Sequence, residues 1–375
     1  MKKRVLQFIG SFHQGGSERQ AVALTKMLKD DGSFDVFAAT LNNEGVLRSD
    51  IETFGLPEIP EFPLTSFFNP NFVRQVRGCA KYLRDNKIDV VHTHDFYTNV
   101  FGMAAASLAG VPVRIASKRE TGGMRSAAQK FVENIAFGRA SAIVANAEAV
   151  REHLIARGIA SDKIAVIHNG IDISRFDVPV DRAVVFDRYG LPVDSRIVTL
   201  VANLRHSVKN VPMFIRTAKR VTETLPDVHF VVAGEGELRP ELEGIAVRLG
   251  VAANMHFIGR CDDVPALLGS SFACMLTSDA EGFSNSILEY MAARRPVVAT
   301  NVGGAAEAVT PKVTGYLVQR DDDNWAAMHL TDLLRNPSMA SEFGEAGRKV
   351  IEQQFSQTAQ LTKTLELYHG LLGRH

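Results

Sequence analysis

Short apolar runs alternate with stretches of helical spacing from one end of this chain to the other, and few folds can use that order. Residues 5–10, 34–40, 88–92, 113–117 and 142–145 read as strands, and helical periodicity fills 17–28, 72–86, 98–109, 126–137 and 148–157. Strands that are apolar at successive positions are covered on both faces, so the alternation implies parallel sheets with helices on either side. The pattern breaks at His168-Asn169-Gly170-Ile171-Asp172, which is turn chemistry, and 173–195 carries no strong periodicity. It restarts at 197–201 and continues through 228–233, 255–258, 272–275 and 297–300, with a last helical stretch over 358–372. The expected organisation is α/β: a first domain over 1–172, a linker over 173–195, a second domain over 196–355 and a C-terminal helix within 356–375. Two doubly wound, Rossmann-like domains facing across a cleft place ligands at the carboxyl ends of their strands.

A chain of 375 residues exceeds the usual size of one domain. Lys plus Arg and Asp plus Glu both number 42, a balance that argues against nucleic acid as a partner. Three dispersed cysteines, Cys79, Cys261 and Cys274, fit no disulfide or metal pattern and suit a reducing cytoplasm. Lys2-Lys3-Arg4 precedes an apolar run too short for a signal peptide, and no stretch approaches the ~20 apolar residues of a membrane span.

The residues that carry chemistry fall after the expected strands. Glu281-Gly282-Phe283-Ser284-Asn285-Ser286-Ile287-Leu288-Glu289 runs from a loop into a helix, with Glu289 about two turns inside it. The first-turn amides and the helix dipole suit a phosphate, and the two carboxylates suit hydroxyls on either side of it. Asn203, Arg205 and Lys209 follow the first strand of the second domain, where fixed cations can stabilise a departing diphosphate. Gly234-Glu235-Gly236 lacks the third glycine of a dinucleotide fingerprint. In the first domain, Gly15-Gly16 can bring the backbone against a ligand, with Ser17 expected to cap the helix. His92 and His94 are expected to point to opposite sides of their strand, with one in the core, and so not to share a metal.

Taken together, these segments resemble the family-4 retaining glycosyltransferases of the GT-B fold. The resemblance runs through Gly15-Gly16, Val91-His92-Thr93-His94, the turn at 167–172, Arg205/Lys209, Gly234-Glu235-Gly236, Phe257-Ile258-Gly259, Glu281/Glu289, Val302-Gly303-Gly304 and Gly315-Tyr316-Leu317-Val318. It implies a nucleotide diphosphate sugar as co-substrate, with UDP the first choice of nucleotide, and no metal or other cofactor. Glu289 is expected on the ribose hydroxyls, Glu281 on the donor sugar, and the amides of Phe283, Ser284, Asn285 and Ser286 on sugar and phosphate. Arg205 and Lys209 are expected on the diphosphate. Gly259 and Arg260 should line the nucleobase with Gly234 and Glu235 nearby, and Gly16 should lie near the donor phosphate and acceptor. The last helix is expected to return to the first domain.

The sequence departs from that family twice. The clamp arginine often stands where this chain has Asn203, so Arg205 is taken as its substitute. A histidine common after the strand at 113–117 is replaced within Ser117-Lys118-Arg119-Glu120, with Arg119 the residue at its place. Arg119 cannot act as a general base but can bind an anion, and His94 is the remaining imidazole for the site. The implied acceptor is a glycan or lipid-linked intermediate. Lys118, Arg119, Arg125, Lys130 and Arg139 offer a basic stretch for peripheral membrane contact. A nucleotide-sugar epimerase of the same architecture and a degenerate, binding-only protein are the alternatives.

Overall fold

The computed structural model describes residues 2–67, 69–121 and 125–374, which form two compact units. In chain order the first runs β1 (Lys3–Ile9), α1 (Gly16–Asp31), β2 (Phe34–Thr40), α2 (Arg48–Glu52), α3 (Pro70–Asp85), β3 (Val90–Thr93), α4 (Phe96–Ala109), β4 (Val113–Lys118), α5 (Ala127–Arg139), β5 (Ala142–Ala145), α6 (Glu148–Ala156) and β6 (Ile164–Val166). The second runs α7 (Arg182–Tyr189), β7 (Arg196–Val201), α8 (Val211–Thr222), β8 (Val228–Ala233), α9 (Arg239–Arg248), β9 (Met255–Gly259), α10 (Val264–Ser270), β10 (Ala273–Leu276), α11 (Asn285–Ala292), β11 (Val297–Thr300), α12 (Ala305–Ala308), β12 (Gly315–Val318), α13 (Asp323–Arg335) and α14 (Pro337–Gln354). The last helix, α15 (Gln357–Leu372), belongs to the first unit.

In the first unit six parallel strands lie in the order β2-β1-β3-β4-β5-β6. Valines and isoleucines of β1, β3, β4 and β5 bury one face against α1 and α15, whose Tyr368 and Leu371 join that core. In the second unit the order is β12-β11-β10-β7-β8-β9, again all parallel. Helix α8 presents Phe214, Ala218 and Val221 to this sheet, a spacing of four and three residues that keeps one face inward. Both orders reverse direction once, between β1 and β3 in the first unit and between β7 and β10 in the second. Loops that leave adjacent strands in opposite directions open a crevice at that point.

The division differs from the expected one at 173–195. That stretch is folded into the second unit, which begins at Ile171. Asp181 caps α7 by accepting from Ala183 and Val184 amides, and Phe186 is fully buried beside Val185, Leu191, Ile197 and Leu267. An eight-residue helix is too short to show a periodic pattern, which is why the stretch reads as a linker. No described helix is long and apolar enough to cross a membrane.

Candidate functional site

In the second unit the reversal point is occupied by the loops after β7 and β10, and they are laced together. Lys209 Nζ donates to Glu281 Oε1 at 2.6 Å, and Ser278 Oγ donates to the same oxygen at 2.6 Å. Thr277 Oγ1 donates to the Lys209 carbonyl, and the Asp279 amide to the Val208 carbonyl. The lysine and glutamate side chains are 22% and 13% exposed, so their attraction is only partly screened. Gly303 fixes the glutamate loop from below: it sits at φ +54°, and a Cβ there would come within 2.4 Å of the Glu281 carbonyl. Its neighbour Gly304 donates its amide to Gly282.

Helix α11 then begins at Asn285 with Ser284 at its N-cap. Glu289 is therefore its fifth residue, little more than one turn in rather than two, and it is buried. Ser284 Oγ is buried with no hydrogen-bond partner among the described residues, and Ser286 Oγ donates to the Val201 carbonyl. Phe283 packs its ring 5.0 Å from Phe355, leaving only its backbone for a ligand. The positive end of the helix thus meets an acid–lysine pair in one small region.

The remaining donor-side residues follow β7, β8 and β9. Asn203 Oδ1 accepts from the Arg205 amide at 2.8 Å and turns the loop outward. Arg205 is 61% exposed and lies 3.8 Å from Glu235, so the structure pairs it with that acid. Gly234 has φ +151°, and a Cβ there would lie 1.8 Å from the Ala202 carbonyl, so only glycine lets the two loops touch. Its amide donates to the Gly259 carbonyl, and Arg260 pairs with Asp262 at 3.2 Å.

The first unit holds a second cluster at its own reversal point. Helix α1 starts at Gly16 with Gly15 as N-cap, so Ser17 is not the cap; the Gly-Gly pair lets the helix begin earlier. His92 and His94 are both buried, with ring centroids 4.5 Å apart. They share one side, contrary to the expectation above, because alternate residues of a strand face the same way. A chain of hydrogen bonds orders them. Gln7 Nε2 donates to Tyr368 Oη (3.0 Å), Tyr368 Oη meets His92 Nδ1 (2.7 Å), His92 Nε2 meets Ser117 Oγ (2.8 Å), and His94 Nε2 meets Gln7 Oε1 (2.8 Å). All are satisfied when Tyr368 donates to His92 and both imidazoles are neutral with hydrogen on Nε2.

Arg119 reaches this network from the end of β4. Its Nη1 donates to Asn169 Oδ1 at 2.6 Å, its Nη2 makes a long 3.4 Å contact with His94 Nδ1, and its Nε is buried with no partner among the described residues. Burial lowers its pKa to about 10, opposed by the charges of Glu18 and Asp95. Burial raises the pKa of both acids. Sequence reasoning weighed Asp95 only for the epimerase alternative and assigned no role to Glu18, Asn169, Ser278 or Tyr368; Asn169 and Ser278 follow strand ends, which was the available signal, whereas Glu18 and Tyr368 lie inside helices.

The basic stretch is largely consumed internally. Lys118 is buried against Glu133 (2.9 Å) and Glu120 (3.1 Å), and Arg125 pairs with Glu120 (3.1 Å) beneath the Phe96 ring. Alternation along β4 turns Lys118 inward. Lys130 and Arg139 stay exposed on α5 with Phe131 and Ile135.

The histidine network has a pH signature. Burial holds His92 at about 3, and burial, then the charges of His92 and Arg119, hold His94 well below its usual value. The unfolded chain, with histidine near 6.5, therefore binds more protons below that pH. Stability of this unit is full above about 6.5 and falls on acidification by up to ~1.4 kcal/mol per pH unit for each histidine. Melting followed from neutral pH to about 5 should show a shallower decline for His92→Gln than for wild type. Equal slopes would mean that His92 is not the buried neutral group.

Two six-stranded parallel sheets of this order, each with polar loops at its reversal point, define the GT-B fold, and solved structures share it. HepE of Anabaena in complex with UDP and glucose matches 98% of this chain and 100% of its own, with TM-score 0.85 and 21% identity. The glycosyltransferase from Rickettsia africae ESF-5 matches 99% of both chains with TM-score 0.86 and 21% identity. Residues 14–175 match the family described as Glycosyltransferase Family 4 and residues 181–350 that described as Glycosyl transferases group 1; the chain belongs to glycosyltransferase family 4. Among curated relatives, the UDP-Gal:alpha-D-GlcNAc-diphosphoundecaprenol alpha-1,3-galactosyltransferase of Escherichia coli is 28% identical over 68% of this chain and 71% of its own. The putative glycosyltransferase EpsD of Bacillus subtilis is 27% identical over 54% of this chain and 53% of its own, so the chain spans about half the length of that relative.

Proposed function

We propose that the chain transfers a hexose or N-acetylhexosamine from a UDP-sugar to a hydroxyl of a lipid-linked or cell-surface glycan intermediate, with retention at the anomeric carbon. The observation that carries this reading is the Lys209–Glu281 pair beside the N-terminus of α11, one turn before the buried Glu289. Glu289 takes the ribose hydroxyls, Glu281 the sugar hydroxyls, and the amides of Phe283 to Ser286 the sugar and phosphate. Lys209 carries the counter-charge of the diphosphate in place of a metal, and Arg205 joins it by leaving Glu235, an exposed partner that binds weakly. Gly234, Glu235, Gly259 and Arg260 border the base. Gly16, His94 and Arg119 act on the acceptor side, where the orphan Nε of Arg119 is a ready donor to an oxygen.

In this reaction the bond from the anomeric carbon to the diphosphate breaks. The acceptor oxygen bonds the same face, and its proton passes to the departing phosphate oxygen. The protein contributes position and charge stabilisation, which is what preorganised donors supply. The lipid-linked acceptor is supported by the name of the Escherichia coli relative and by α5, where exposed Phe131 and Ile135 form an apolar strip beside exposed Lys130 and Arg139, a pattern suited to peripheral contact with an anionic membrane.

A thermal-shift screen against UDP, GDP, ADP, CMP and NAD tests the donor site. A ligand present at about 100 times its Kd adds ~2.7 kcal/mol to the folded state. UDP is expected to raise the melting temperature while CMP and NAD leave it unchanged. A rise with GDP alone replaces the base, and no rise with any of them at millimolar concentration removes the donor site.

A further inference from the structure

The second unit has a cavity of about 330 Å³ at the opposite end of α11 from the donor loops. Arg294 and Arg295 follow the C-terminus of α11 and precede β11, so the cavity lies at the amino ends of the strands. Arg175 forms another wall, Val178 and Val180 supply apolar surface, and Asp263 is the one carboxylate in the lining.

The charges there are unevenly matched. Asp263 is committed to capping α10, accepting from the Ala266 amide at 3.1 Å. Arg294 pairs with Asp177 at 3.6 Å and Glu345 at 3.3 Å. Arg295 donates to the Ala293 and Ser271 carbonyls and has no ion pair among the described residues. Its burial works against its own charge, which is why its pKa is lowered. Arg175 is exposed and has neither a hydrogen bond nor an ion pair among the described residues. Arg294 also holds φ +58°, a conformation usually given to glycine or asparagine after a helix. A half-buried cation without a counter-ion is costly, and an oxyanion supplies what is missing.

We propose that this cavity binds a small soluble phosphate ester, its phosphate held by Arg175 and Arg295 with Arg294 beside them, and its organic part against Val178 and Val180. Guanidinium groups fit phosphate oxygens two at a time, and the volume lies at the lower end of the range for small-molecule sites.

Calorimetric titration with inorganic pyrophosphate tests this, using wild type, Lys209→Ala, Arg175→Ala and Arg295→Lys, each checked for a native melt. Arg175 is exposed, so its replacement leaves the fold intact. Saturable binding that survives Lys209→Ala and weakens by about tenfold or more in both arginine variants is the expected result. Binding lost in Lys209→Ala and kept in Arg175→Ala assigns the ion to the donor loops and overturns the proposal. No saturable binding at millimolar pyrophosphate also overturns it. So does sedimentation with phosphatidic acid vesicles that depends on Arg175 when pyrophosphate does not bind, because the phosphate would then belong to a lipid.

Discussion

Lys209→Ala is expected to lower kcat by about two to three orders of magnitude, the range seen when one preorganised donor to a developing negative charge is removed. The ammonium is held 2.6 Å from Glu281 and only 22% exposed, so neither water nor a mobile neighbour substitutes for it. The loss falls mainly on the chemical step, because the charge on a diphosphate grows as its bond to sugar breaks. Glu281→Ala is the companion: it should also lower kcat while leaving UDP affinity within a few-fold of wild type, since the carboxylate is assigned to sugar and not to base. Both are read by nucleotide release with the donor that the screen selects, beside UDP titration. A Lys209→Ala enzyme turning over at the wild-type rate would take the lysine out of the mechanism.

Glu133→Ala should destabilise the first unit by about 3 kcal/mol, the lower end of the cost of leaving a buried ion unpaired. Glu133 is 1% exposed and accepts from Lys118, itself 4% exposed, at 2.9 Å and from Arg157 at 2.7 Å. Its removal leaves two cations facing each other, with Glu120 alone near Lys118. For a unit of this size the melting temperature should fall by roughly 6–12 °C. Disrupting the exposed Lys26–Asp30 pair should cost no more than ~0.5 kcal/mol. Adding Lys118→Met to Glu133→Ala should recover part of the loss. A Glu133→Ala melt that matches wild type would mean that water reaches the buried cations.

The contrast between these residues shows where local pattern stops. Residues 34–40, 142–145, 228–233 and 297–300 are strands with the ends that the sequence suggests, because continuous apolar runs are local signals. Three-residue β6 is too short to announce itself, and β12 opens on Gly315, which reads locally as a turn. Glu281 and Lys209 were legible as residues, but the bond between them joins positions 72 apart and depends on how strands are ordered. Lys118 read as part of a charged surface because composition cannot show that Glu133 waits beneath it. Arg205 was assigned to a phosphate by its place in a loop, but its 3.8 Å contact with Glu235, which another strand delivers, was not legible.

Tyr368 lies on the final helix and bonds Gln7, near the other end of the chain, across a separation of 361 residues. Synthesis from the amino terminus therefore yields a first unit whose buried Gln7 and His92 lack that hydroxyl until Tyr368 has been added. The second unit, a continuous segment from Ile171 to Ser356, meets no such delay. Removal of Gln357–Leu372 would leave every strand of the second unit in place and take from the first the helix that supplies Tyr368 and Leu371 to its core.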